Sequence, residues 1–161
     1  MIDGLHHAAY RCRSSEETRA FYEDFLELKF LDAFKIETTK TGRDADVLHS
    51  FFAMGDGSCL AFFEAPGQPF DFKDQHDFDL HIALGVSRSE LERMFEKGKA
   101  AGIETRGVSE HGPFRSIYFR DPNGYVVELC APSEEGLDMS DGLTGVDPRE
   151  TLKAWTAAQA G

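Results

Sequence analysis

The chain has 161 residues, 41% of them hydrophobic and 14 of them Phe, enough apolar material for one ordinary domain or two small halves sharing a core, which excludes global disorder. A formal net charge of −12 argues against nucleic acid or an anionic membrane surface as partner, because both are bound through clustered Lys and Arg. No apolar run nears the ~20 residues that span a bilayer, Met1-Ile2-Asp3-Gly4 has no signal-peptide character, and Cys12, Cys59 and Cys130 form an odd, scattered set; reduced thiols in a cytoplasmic protein are expected.

In chain order, Gly4 to Arg11 reads as a strand, and Ser14 or Ser15 caps a helix reaching about Leu26, with acidic Glu16 and Glu17 in its first turn. Strands follow near Lys29–Thr38, Val47–Met54 and Ser58–Glu64, the last two joined by the turn Gly55-Asp56-Gly57. The segment from Ala65 to Asp79, with Pro66, Pro69 and several aspartates, is a linking loop whose aromatics either cover a pocket or face solvent. A second set comes next: strand Asp79–Val86, helix Ser89–Ala101 stopped by Gly102, and strands near Ile103–Val108, Phe114–Arg120 and Gly124–Ala131. Asp121-Pro122-Asn123-Gly124 marks the turn between the last two. An acidic, irregular stretch runs to Val146, after which Asp147-Pro148-Arg149-Glu150 starts a short helix to about Ala158 that packs Leu152 and Trp155 on its own domain or a sister subunit.

The two sets are copies of one another. Superimposing His7 on His81 also places Ala9 on Ala83, Ser15 on Ser89, Glu16 on Glu90, Arg19 on Arg93 and Phe21 on Phe95. Pairing His6 with His81 instead loses those matches, and neighbouring residues of a regular strand point to opposite faces, so His7 is the candidate. Either histidine alone reads as a surface or core residue. Two equivalent histidines near a pseudo-two-fold axis point to a metal site.

Glu128, within Tyr125-Val126-Val127-Glu128-Leu129-Cys130, is the candidate third ligand, since a carboxylate buried among apolar residues needs a partner or a cation. An exposed face of an edge strand is the alternative. Matching Ala65-Pro66 to Ala131-Pro132 puts Phe62 at the equivalent place in the first half, with Glu64 two residues beyond as a possible fourth ligand. Two histidines and one carboxylate leave coordination positions open, the arrangement non-haem Fe(II) oxygenases use to hold substrate and O₂.

Leu5-His6-His7-Ala8-Ala9, Asp79-Leu80-His81-Ile82-Ala83-Leu84 and the run Ser116 to Glu128 together resemble the vicinal oxygen chelate superfamily of glyoxalase, bleomycin resistance and extradiol dioxygenase proteins. The resemblance covers roughly residues 4–131. It implies an α+β fold: two βαβββ modules forming a cup-shaped mixed sheet around a divalent metal, helices outside. Module 1 would span about 1–66, the linker 67–78 and module 2 about 79–132, with a C-terminal extension over 133–161. It also implies His7, His81 and Glu128 as ligands.

The spacing of His111, Tyr118, Asp121-Pro122, Gly124 and Glu128 is closest to extradiol dioxygenases, where the matching Tyr and His contact substrate or oxygen. The resemblance therefore implies Fe(II), with Mn, Zn, Ni or Co as substitutes, a catechol-like small-molecule substrate, and catalytic Tyr118 and His111. Two modules can close a site within one chain or exchange halves across a dimer, and a homodimer is expected because a sister subunit readily covers the exposed edges of a cupped sheet. An acid/base histidine usual in those enzymes is missing between Phe62 and Pro69, leaving His49, His76 or Glu64 for that role. A lactoylglutathione lyase or epimerase on the same scaffold is the alternative, and a metal-free drug-binding module the third reading.

Overall fold

The computed structural model describes residues 2–38, 41–74, 76–133 and 145–159. In chain order the elements are β1 His7–Cys12, α1 Ser15–Arg19 continuing as a π-helical segment over Ala20–Phe25, β2 Lys29–Thr38, β3 Asp44–Ala53, β4 Cys59–Glu64, β5 His81–Gly85, α2 Arg88–Ala100, β6 Thr105–His111, β7 Phe114–Arg120, β8 Val126–Pro132 and α3 Pro148–Gln159. The acidic stretch after Ser133 lies outside the described residues through position 144.

The strands form two four-stranded sheets, ordered β1-β4-β3-β2 and β5-β8-β7-β6. In each, the first strand runs parallel to the last and the remaining pairs are antiparallel. The chain is therefore a duplicated βαβββ unit of the α+β class.

Local sequence explains the helix starts. The Ser14 side chain accepts a hydrogen bond from the Glu17 amide, and the acidic first turn complements the helix dipole. In the second module Ser87, rather than Ser89, caps the helix by accepting from the Glu90 amide at 3.1 Å, so α2 begins earlier than the Ser89 start expected from the repeat. Gly98 lets α2 settle onto β7, because a Cβ there would lie 2.5 Å from the Phe119 ring and the Thr105 hydroxyl.

Alternation along the strands divides each sheet into a core face and an open face. Tyr22, Phe52, Leu60 and Phe62 from module 1 join Ile82, Leu91, Met94, Ile117, Phe119, Val127 and Leu129 from module 2 in one hydrophobic cluster. Phe25 meets Phe119 edge-on at 5.1 Å and Tyr10 meets Tyr125 at 5.2 Å across the module boundary.

The Asp121-Pro122-Asn123-Gly124 turn also joins the modules. Asn123 Oδ1 accepts from the Arg13 amide at 2.9 Å and its Nδ2 donates to the Thr18 hydroxyl, while the Tyr22 hydroxyl donates to Asp121 at 3.1 Å. All four side chains, Asp121, Asn123, Thr18 and Tyr22, are buried. Burial pushes the Asp121 carboxyl above its ordinary range, and donors from Asn123, Tyr125 and Tyr22 hold it down. At the other end of the helical segment, Glu27 adopts a left-handed φ of 65° and takes hydrogen bonds from Arg93 and Lys97 of α2.

Helix α3 starts at Pro148 as expected, but it buries nothing: Leu152 is 63% and Trp155 66% exposed. The expected packing of those residues on the same domain is not present. No helix among the described residues is long and apolar enough to cross a membrane.

Candidate metal centre

The expected site residues stand on the open faces of the two sheets. On module 2 these are His81 on β5, Glu128 on β8 and Tyr118 on β7, with Ala83 and Tyr118 flanking Glu128 in register. Glu128 is buried, at 8% exposure, and is not on an exposed edge: β8 lies between β5 and β7.

His81 and Glu128 come together. His81 Nε2 lies 3.1 Å from Glu128 Oε2, and His81 Nδ1 lies 2.7 Å from the carbonyl oxygen of Asp77. That carbonyl can only accept, so Nδ1 donates to it and Nε2 is the ring atom turned toward the carboxylate. Two donors each about 2.1 Å from one ion, and roughly 90–110° apart, lie about 3.0–3.4 Å from each other. The pair thus has the spacing of two ligands of one cation. A carbonyl behind a ligating imidazole is the usual way its tautomer and orientation are held.

The second carboxylate oxygen is occupied by the protein. Ser116 donates its hydroxyl to Glu128 Oε1, and the Tyr118 hydroxyl reaches the same atom at 3.5 Å. His111 Nε2 lies 2.9 Å from the Tyr118 hydroxyl, which makes His111 a member of the cluster, at the end of strand β6. Burial, then the Glu128 charge, raises the Tyr118 phenol above its ordinary value. Arg106 sits over the Tyr118 ring at 5.3 Å and pairs with the Asp77 carboxylate at 2.8 Å. The linking loop therefore buttresses the site through Asp77, backbone and side chain both.

His7 is elsewhere. It lies on the open face of module 1, with its ring 5.8 Å from Phe51 and its Nδ1 2.8 Å from His6 Nδ1. Among the described residues, no three His, Cys, Asp or Glu side chains converge as a metal-binding group. The strand rule that set His6 aside does not act on it either, because β1 begins only at His7.

The register also corrects the residue matched to Glu128. Ala83 pairs with Glu128 as Ala9 pairs with Ala61, so Ala61, not Phe62, is the equivalent residue. Phe62 points the other way, into the core against Tyr22 at 4.7 Å. Glu64 shares the Phe62 side of β4 and accepts the Ser15 amide at 2.6 Å; it serves the start of α1 and is not a fourth ligand. His76 accepts the Phe78 amide within the loop. Of the three acid/base candidates, only His49 faces the same side as His7: it pairs with Phe63 in register and stacks on that ring at 3.8 Å.

Sequence reading missed Ser116 and Asp77. Ser116 was within reach, since period-two alternation from Tyr118 puts it on the same face of β7. Asp77 left no side-chain signal, because the contact that orients His81 is made by its backbone carbonyl.

An apolar cavity of about 660 Å³ opens between the edges of β1 and β5, lined by Leu5, Tyr10, Leu28, Leu84 and Met94. His81 touches it and Glu128 does not. It is a gap between two sheet edges, and the polar groups suited to chemistry lie on the open faces beside it.

Residues 4–129 match the family model of the glyoxalase/bleomycin resistance protein/dioxygenase superfamily. Metallothiol transferases FosB from Shouchella clausii and Bacillus licheniformis are 27% and 30% identical to the chain; each alignment covers 80% of it, and respectively 80% and 75% of the relative. Among solved structures, a mutant of the fosfomycin resistance protein FosX from Listeria monocytogenes, complexed with Mn(II) and 1S,2S-dihydroxypropylphosphonic acid, is 25% identical with a TM-score of 0.59. That match covers 80% of this chain and 92% of the other. These relatives are named as metallothiol transferases and a fosfomycin resistance protein rather than as the dioxygenase expected from the His111-to-Glu128 spacing.

Proposed function

This chain belongs to the glyoxalase/bleomycin resistance protein/dioxygenase superfamily, and on that footing we propose that it is a divalent-metal enzyme acting on a small molecule through an oxygen atom, with each site shared between two copies. His81 and Glu128 of one copy and His7 of a second copy hold the metal. The observation that carries the reading is the His81–Glu128 pair at 3.1 Å, oriented by Asp77. Support for the second copy comes from His7 having no such partners among the described residues of its own chain and from β1 and β5 each being paired on one side only among those residues. A two-fold dimer in which module 1 faces module 2 of the other copy satisfies both edges and forms two equal sites.

When bound, a divalent ion supplies Lewis acidity, drawing electron density from a substrate oxygen. The protein's own groups do the rest. Ser116 fixes the Glu128 carboxylate, and Tyr118 offers a hydroxyl beside it that stabilises negative charge developing on that oxygen. His111, on the solvent side of Tyr118, exchanges protons with it. Two histidines and a carboxylate suit Mn(II), the ion in the FosX relative's complex, as well as Fe(II), Zn, Ni or Co. A reaction without change of metal oxidation state, of the kind the metallothiol transferase relatives are named for, fits best. A second reading, ring cleavage of a catechol with Fe(II), is favoured by the His111–Tyr118 contact.

Subunit mixing tests the shared site. His7→Ala and Glu128→Gln homodimers should each lose tight Mn(II) binding by electron paramagnetic resonance. Mixing the two through a partial unfolding step should restore wild-type binding at one site of each mixed dimer. If the metal were held within one chain, mixing would restore nothing.

A further inference from the structure

His6 lies one residue before β1, yet its backbone is fixed: its carbonyl oxygen accepts the Cys59 amide of β4 at 3.1 Å. Its ring stands outside the regular alternation of the strand and turns toward His7. The two rings lie 5.0 Å apart at 74°, with their Nδ1 atoms 2.8 Å from each other. Two imidazole nitrogens at that distance share a hydrogen, one donating it and the other accepting. Phe51, the other ring against His7, has no nitrogen or oxygen to offer.

His81 is placed in the same way. Like His7, it is the first residue of its strand. Its Nδ1 is taken up by a group from the segment just before, the Asp77 carbonyl oxygen at 2.7 Å, and Nε2 is the atom turned toward Glu128. In module 1 the preceding segment supplies an imidazole in place of the carbonyl. Equivalent histidines thus have the same ring atom engaged by different chemistry. A carbonyl oxygen can only accept, whereas an imidazole nitrogen accepts only when its hydrogen sits on the other ring nitrogen. Asp77 fixes His81 outright; in module 1 the side chain at position 6 decides which nitrogen His7 offers.

We infer that His6 is the positioning residue of His7. Its Nδ1 accepts the His7 Nδ1 hydrogen and leaves the His7 Nε2 lone pair for a cation, the part that outer partners of ligating imidazoles commonly play. The inference rests on the reading of His7 as a metal ligand and adds to it the residue that orients the ring from behind. His6 is not itself a ligand in this arrangement, because its Nδ1 is used by the bond to His7.

The test begins with full-length protein stripped of metal. Long-range proton–nitrogen correlation spectra at mildly alkaline pH show which imidazole nitrogen carries the hydrogen, and His7→Ala identifies the His7 signals. Wild-type His7 should carry it on Nδ1. His6→Ala should move His7 toward the Nε2-protonated form and weaken Mn(II) binding, read by electron paramagnetic resonance, by about 10–100-fold, the usual loss when a supporting partner of a metal-bound imidazole is removed. His6→Asn, whose amide oxygen accepts a hydrogen bond, should return His7 to the Nδ1 form and recover most of the affinity. The wild-type spectrum needs no variant, so it decides the position of the hydrogen even if a substitution disturbs folding. Wild-type His7 with its hydrogen on Nε2, or His6→Ala protein that binds Mn(II) as tightly as wild type, would overturn the inference and leave the metal reading standing. His6→Asn that restores the Nδ1 form without restoring Mn(II) binding would likewise overturn it, making the His6 ring a ligand. Wild-type protein that takes up no Mn(II) would sink both.

Discussion

The two modules share a topology and a strand register, yet their open faces have diverged. Module 2 has His81 and Glu128 in contact, a serine fixing the carboxylate and a tyrosine–histidine pair alongside. Module 1 keeps the histidine, replaces the carboxylate with Ala61 and fills the remainder of its face with rings. The core faces, in contrast, remain alike and merge into one cluster. Duplication thus retained what folding requires on one side of each sheet. On the other side the two have parted: a hydrogen-bonded polar cluster around Glu128 in module 2 and a set of aromatic rings in module 1.

The largest expected effect breaks the shared part of that comparison. Phe62→Ala removes a fully buried ring wedged between Tyr22 and Phe52, and should cost about 3–5 kcal/mol in urea unfolding. Folded Phe62→Ala protein should still bind Mn(II), as Phe62 faces the core. Next come the two carboxylates at the ends of the modules. Glu128→Gln should weaken Mn(II) at least about a hundredfold, since loss of supporting contacts alone typically costs 10–100-fold. Glu64→Gln, which touches only the start of α1, should leave Mn(II) affinity unchanged. Equal losses from the two variants would erase the distinction between the modules.

Asn123→Ala cuts the bonds to the Arg13 amide and the buried Thr18 hydroxyl and should cost about 1–3 kcal/mol, read as a lower unfolding midpoint, because each hydrogen bond lost contributes about 0.5–1.5 kcal/mol. The smallest effect concerns Glu27, whose carboxyl Arg93 and Lys97 hold down at about 2, below the ordinary 4.5. A depressed carboxylate stabilises the folded state above pH 4.5 and loses that contribution as pH falls toward about 2. Glu27→Gln should flatten the acid limb of the stability curve in that window only. The group is on the surface, so the shift in midpoint should be small.

Most of the architecture was legible because it is carried by short-range chemistry repeated twice: strand alternation, Ser-Glu helix starts, and glycine or Asp-Pro-Asn-Gly turns. His81 and Glu128 were found as a pair because the first came from the repeat and the second from a carboxylate set in an apolar strand. Errors arose wherever one residue of register mattered. Matching the modules at Ala65-Pro66 put Phe62 opposite Glu128, and a slip of one in a strand exchanges the two faces; the same slip kept Glu64 in play as a ligand. His6 was set aside by a rule for regular strands, although the strand begins after it.

What the sequence alone determined, then, is the duplicated α+β unit, the family and a short list of candidate site residues, because periodicity and residue chemistry are local properties. Only the tertiary structure decided which face each residue takes, that Asp121 and Asn123 bind one module to the other, that the Asp77 carbonyl orients His81, and that among the described residues His7 does not join the His81–Glu128 pair. Those facts depend on contacts between segments distant in the chain, and such contacts leave no mark in the spacing of residues along it.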